Sequence, residues 1–122
     1  NVMHVGEGLP QVLLGTSLTG ALMEMTRKGL GMTVVLDEHG KLAGIFTDGD
    51  LRRALDRGID VRQVTIDQVM TVHGKTVRAE ILAAEALKIM EDNKIGALVV
   101  VDADDRPVGA LNMHDLLRAG VM

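Results

Sequence analysis

Thr47, Asp48, Gly49 and Asp50 stand together in the stretch GIFTDGDLRRAL, residues 44–55, just ahead of a segment carrying Arg52 and Arg53. An acidic pair at a strand–helix junction fits three kinds of chemistry: a metal site, a helix cap, or a hook for sugar hydroxyls. Two carboxylates on one short turn, with no further acid beside them, make a poor oxygen cage for magnesium. The cap and the hook both remain. A helix N-terminus favours anions, because its free N–H groups and the positive end of its dipole point outward. Thr47 offers a hydroxyl to a phosphate oxygen. Asp50, acceptor-only when ionised, suits paired sugar hydroxyls better than phosphate. Gly49 lets a ligand approach the backbone closely.

The elements that must position these residues emerge from comparing the chain with itself. LGMTVVLDEHGKLAGIFTDGDLRRA (30–54) lies without a gap over IGALVVVDADDRPVGALNMHDLLRA (95–119), with identities at Gly31/Gly96, Val34/Val99, Val35/Val100, Asp37/Asp102, Gly44/Gly109, Asp50/Asp115, Leu51/Leu116 and Arg53/Arg118. Upstream, Val2-Met3 pairs with Val69-Met70 at a slightly larger offset. Each copy predicts the same order. A helix capped by Thr16 or Ser17 carries an apolar stripe of Leu18, Ala21, Leu22 and Met25 and ends at Gly29. Two β-branched runs, 33–36 and 42–46, follow as a hairpin around DEHG, and DADD serves the second copy. A second helix then begins near Asp50 and near Asp115. Short extra strands are expected around Val12–Leu14 and Thr76–Arg78, and Thr65 with Gln68 forms a capping box for a short linking helix. The fold class is α/β in the α+β sense: two small sheets with flanking helices, related by a pseudo-twofold axis, with a cleft between copies. The repeat boundary falls between residues 1–62 and 63–122.

Composition narrows the function. The 122 residues carry a net charge of −4 and a single aromatic, Phe46, so neither the basic groove nor the stacking platform of a nucleic-acid binder is supplied. No apolar run approaches the ~20 residues of a membrane span. There is no cysteine, which excludes disulfides and thiolate chemistry and points to a reduced, cytoplasmic setting. The four histidines lack metal-ligand spacing, and the turn acids lack the glycine and distal glutamate of a calcium loop. A chain beginning at Asn1 reads as a piece of something longer. No nucleophile–base pair stands out, so the chain itself is expected to be non-catalytic.

The duplicated strings Val34–Asp37 with Gly44–Leu51, and Val99–Asp102 with Gly109–Leu116, resemble a CBS domain pair, or Bateman module, over essentially the whole chain. GIFTDGDLRRAL and MHDLLRAGV are further similar to the C-terminal regulatory part of bacterial arabinose 5-phosphate isomerases, which supply the precursor of the lipopolysaccharide sugar Kdo. That resemblance implies a sugar isomerase domain preceding the pair and absent from this chain, and a parent interconverting D-arabinose 5-phosphate and D-ribulose 5-phosphate. It also implies that Thr47 and Asp50 bind phosphate and ribose.

In the second copy Asn112 and His114 replace Thr47 and Gly49, while Asp115 retains the acid, so one better and one altered nucleotide site are expected. Met32 and Ala97, which follow Gly31 and Gly96, are expected to line an adaptable base pocket. Arg53, Lys75 and Arg78 are the candidate cations for an acidic ligand, although arginines on helix faces are commonly just solvated. The expected ligand is a nucleotide or sugar nucleotide such as CMP-Kdo, with AMP or ATP as the alternative, and no cofactor is required. The rival reading is a dimerisation module with no ligand of consequence. A homo-oligomer is expected in either case.

Overall fold

The computed structural model describes residues 3–4, 8–72, 75–81 and 83–113. Leu82, His114, Asp115, Leu116, Arg118 and the helix expected near Asp115 lie outside the described residues, as does His73. The elements are β1 (Met3–His4), β2 (Gln11–Leu13), α1 (Leu18–Lys28), β3 (Met32–Leu36), β4 (Leu42–Thr47), α2 (Asp48–Asp56), a 3-10 turn at Ile66–Gln68, β5 (Thr76–Arg78), α3 (Ala83–Asn93), β6 (Ala97–Val101) and β7 (Pro107–Asn112).

Two compact units are present, Leu9–Gly74 and Asn1–Gly8 with Lys75–Met122. In the first, α1 starts where the Ser17 side chain accepts the Gly20 N–H and stops at Gly29, whose left-handed backbone (φ 70°) lets its N–H reach the Met25 and Thr26 carbonyls. Its apolar stripe then meets a three-stranded sheet of order β2-β3-β4, β2 parallel and β4 antiparallel to β3. Leu18, Ala21, Met25, Val35, Phe46, Ala54, Ile66 and Val69 form the core. Glu24 is buried on the same helix. Its carboxylate accepts from Arg27, from the Gln11 backbone N–H at 3.1 Å and from Lys28 at 3.1 Å, which ties α1 to β2. Burial opposes its charge, but these donors outweigh burial and hold its pKa down to about 2.

The second unit repeats the plan around Ala86, Leu87, Met90, Leu98, Val100 and Leu111. Even the irregularities repeat: the hairpin register shifts at Val35/Leu36 and again at Val100/Val101.

The sequence copies and the compact units are cut differently. β1 opens the first copy yet pairs antiparallel with β7 of the second, His4 opposite Ala110. Likewise Thr71 follows the linking turn yet pairs with Ile45 on β4. Each copy's leading segment therefore pairs with the other copy's sheet, and the compact units divide at Gly8/Leu9 and Gly74/Lys75.

Candidate functional site

The strand–helix junction at Thr47 is built by its neighbours. β4 runs antiparallel to β3 with Thr47 opposite Met32, and the Asp48 N–H donates to the Gly31 carbonyl at 3.1 Å, so Gly31 and Met32 flank the turn. A Cβ on Gly31 would stand 2.8 Å from Asp48 Oδ2, the far end of an exposed side chain that would have to turn aside. Met32 is fully buried. A Cβ on Gly49 would meet the Arg53 guanidinium at 3.5 Å and Thr47 Oγ1 at 3.6 Å, ordinary contact distances.

Thr47 and Asp50 cap α2 reciprocally. Thr47 Oγ1 accepts the Asp50 N–H at 3.2 Å, and Asp50 Oδ2 accepts the Thr47 N–H at 2.9 Å and its hydroxyl at 3.2 Å. The other oxygen, Oδ1, accepts from the Arg53 guanidinium and from the Thr71 hydroxyl at 3.0 Å. Four donors thus converge on one carboxylate, which fills its acceptor capacity. Asp50 is only 6% exposed, whereas the Arg53 side chain is 67% exposed.

The cap is therefore present, and the candidate hook is made of the same two residues. Thr47, Asp50, Gly31, Met32 and Arg53 come together as expected. Thr71 was not anticipated, because it reaches the carboxylate from 21 residues away along the chain. The signal available for it was the Val2-Met3/Val69-Met70 repeat match, which marks the following residues as equivalent strand positions.

In the second unit the backbone frame recurs: Ala97 lies opposite Asn112, and the Met113 N–H donates to the Gly96 carbonyl at 2.8 Å. His114 and Asp115 would follow directly. Lys75 is exposed just before β5. Arg78 pairs with Val101, four residues along β6 from Ala97 and so ~13 Å from the Asn112 junction of its own unit. Instead it bears on the turn acid Asp102, whose pKa is lowered first by the Arg106 backbone N–H and to a lesser degree by the Arg78 charge. Among the described residues no group of three or more acidic or histidine side chains is placed to hold a metal, and no helix is long and apolar enough to cross a membrane.

Two duplicated units, each a small mixed sheet, with an acid-capped strand–helix junction at Thr47–Asp50 in the first, define the class. The profile of the CBS domain matches residues 7–57 and 61–121, and the chain belongs to the CBS domain family as a tandem pair. Over all 122 residues it is 99% identical to arabinose 5-phosphate isomerase KdsD of Pseudomonas aeruginosa and spans 37% of that protein's length, so what it matches there is the CBS part. Among solved structures it is similar to the CBS domain pair of protein MJ0100 in complex with 5′-methylthioadenosine and S-adenosyl-L-methionine, at 25% identity and TM-score 0.83, covering 95% of this chain and 94% of that one. CBSX2 in complex with AMP matches at 25% identity and TM-score 0.80, covering 98% and 92%.

Proposed function

We infer that this chain is the ligand-sensing regulatory part of a sugar-phosphate isomerase, one that interconverts D-arabinose 5-phosphate and D-ribulose 5-phosphate in the cytoplasm. The observation that carries this is the near-identity to an arabinose 5-phosphate isomerase, combined with the duplicated junction of a family whose solved members hold adenosyl ligands and AMP. The chain performs no chemistry itself; it binds, and the isomerase domain of the parent responds. Thr47 and the α2 N-terminus take the phosphate, Asp50 takes the ribose hydroxyls, and Gly31 and Met32 border the base. Ala97, Asn112, His114 and Asp115 form an altered counterpart. Arg53, Lys75 and Arg78 supply positive charge for an acidic ligand.

The ligand proposed is CMP-Kdo, the activated end product of the route an arabinose 5-phosphate isomerase feeds, which joins a ribonucleotide to an acidic sugar. Exposed Met23 on α1 and Leu55 on α2, 73% and 55% accessible, favour homo-oligomer formation as a second role. Thermal shift of the 122-residue chain with CMP-Kdo, CMP, AMP, ATP and arabinose 5-phosphate tests the reading. A saturating ligand at a hundredfold excess over Kd adds ~2.7 kcal/mol. Stabilisation by CMP-Kdo supports feedback sensing, and stabilisation by AMP or ATP alone replaces the ligand while keeping the sensor. No stabilisation by any of them leaves only the oligomerisation role.

A further inference from the structure

The two oxygens of Asp50 are not equivalent, and the difference bears on which ligands the hook selects. Both donors to Oδ2 come from Thr47, its backbone N–H and its hydroxyl, and belong to the cap of α2. Losing them means fraying the helix. Both donors to Oδ1 are separate from the cap: the guanidinium of Arg53 and the hydroxyl of Thr71. With Asp50 almost wholly covered, a ligand reaches the carboxylate only by displacing donors from Oδ1. Arg53 swings away readily, being exposed and on a flexible stem. Thr71 is exposed as well, so its released hydroxyl passes to water. Its backbone stays in place, because the Ile45 N–H donates to the Thr71 carbonyl at 2.9 Å and the Thr71 N–H to the Ile45 carbonyl at 2.8 Å. Only a side-chain rotation is required.

Resting on the ribose-binding reading of this hook, we propose that Thr71 is a specificity-determining residue: its hydroxyl competes with the ligand for Asp50 Oδ1. A ribose diol brings two donors and replaces both Arg53 and Thr71. A ligand with a single sugar hydroxyl replaces Arg53 alone and leaves the Thr71 bond intact. Every diol ligand therefore binds against the cost of breaking the Thr71 bond, and a 2′-deoxy ligand does not. Displacement of Arg53 is common to both and cancels in their ratio.

Thr71→Val keeps the β-branched shape in the strand pairing and removes the competing donor. Exchanging a hydrogen bond to a carboxylate for one to water is worth roughly 3–10-fold in affinity. Titration calorimetry of the 122-residue chain with AMP and 2′-deoxy-AMP should show AMP binding ~3–10-fold tighter in Thr71→Val, with 2′-deoxy-AMP unchanged and Thr71→Ser like the unsubstituted chain. A purely structural role for Thr71 would move both ligands together. Equal shifts, or weaker AMP binding, would overturn the competition while leaving the hook itself standing. CMP and 2′-deoxy-CMP serve as the second pair; failure of both pairs to bind the unsubstituted chain overturns the hook and the competition together.

Discussion

Replacing Asp50 by alanine should destabilise the Leu9–Gly74 unit as well as weaken its hook, and the structure lets the two effects be separated. Four bonds are lost, but they are not equal. The Thr71 bond is exchanged for one to water, the same exchange as above, and contributes about 1 kcal/mol. The Arg53 pair, with its guanidinium mostly in solvent, contributes ~0.2–1 kcal/mol. The acid at the third position of α2 interacts favourably with the helix dipole, worth ~0.3–1 kcal/mol. The largest contribution is the Thr47 N–H, held at 2.9 Å by a buried carboxylate and left without that acceptor in the variant, at ~1–3 kcal/mol. The sum is about 2.5–6 kcal/mol, which for a unit of this size lowers Tm by on the order of 10 °C or more. Urea unfolding followed by circular dichroism reads the stability. Calorimetry at a temperature where the variant is still folded reads the binding, expected to be ~10-fold weaker or worse. Stability within ~0.5 kcal/mol of the unsubstituted chain would refute the view that this carboxylate holds the junction together.

Glu24 gives a pH signature. Its folded pKa of about 2 lies below its ordinary value of 4.5, so the ionised form stabilises the fold above pH 4.5 and that contribution fades as pH falls toward 2. The stability difference between the unsubstituted chain and Glu24→Gln, about 2 kcal/mol near neutral pH after allowance for screening at exposed Arg27, should shrink across that window in acid titrations of the unfolding free energy. A difference independent of pH there contradicts the assignment. Gly44→Ala should cost ~1–3 kcal/mol, because its Cβ would lie 2.5 Å from Met70 Sδ and 3.0 Å from Met70 Cγ. In a double-mutant cycle Met70→Ala should recover part of that loss, and strictly additive effects would show that the two do not collide.

Much of this arrangement could be read from residue order, and the parts that could not share one cause. Ser17 and Gly29 bound α1, the hairpins form at DEHG and DADD, and the Thr65 backbone N–H donates to Gln68 Oε1 at 2.9 Å, because each of these depends on neighbours within a few residues. Met25 and Leu87 belong to the core, while Met23 and Leu55 are among the large apolar side chains left outside. The exchange of leading strands was not legible. A two-residue strand such as β1 has no periodicity, and its pairing with β7 is decided by a partner a hundred residues away. Thr71 and Glu24 were missed for the same reason: a threonine near a turn and a glutamate on a helix carry no local sign of the distant partners they meet, Asp50 and the Gln11 N–H. The site residues of the first copy were visible because their spacing is local. What spacing could not reveal is that both oxygens of Asp50 are already occupied.

The central claim is that a ribonucleotide binds at the Thr47–Asp50 junction. Backbone amide spectra recorded while CMP-Kdo or AMP is titrated into the 122-residue chain test it most directly. The account predicts saturable shifts concentrated at the amides of Thr47, Asp48, Gly49 and Asp50, with Thr71 moving at the same ligand concentrations. Saturable binding that leaves those amides in place, or shifts confined to other parts of the chain, would contradict it.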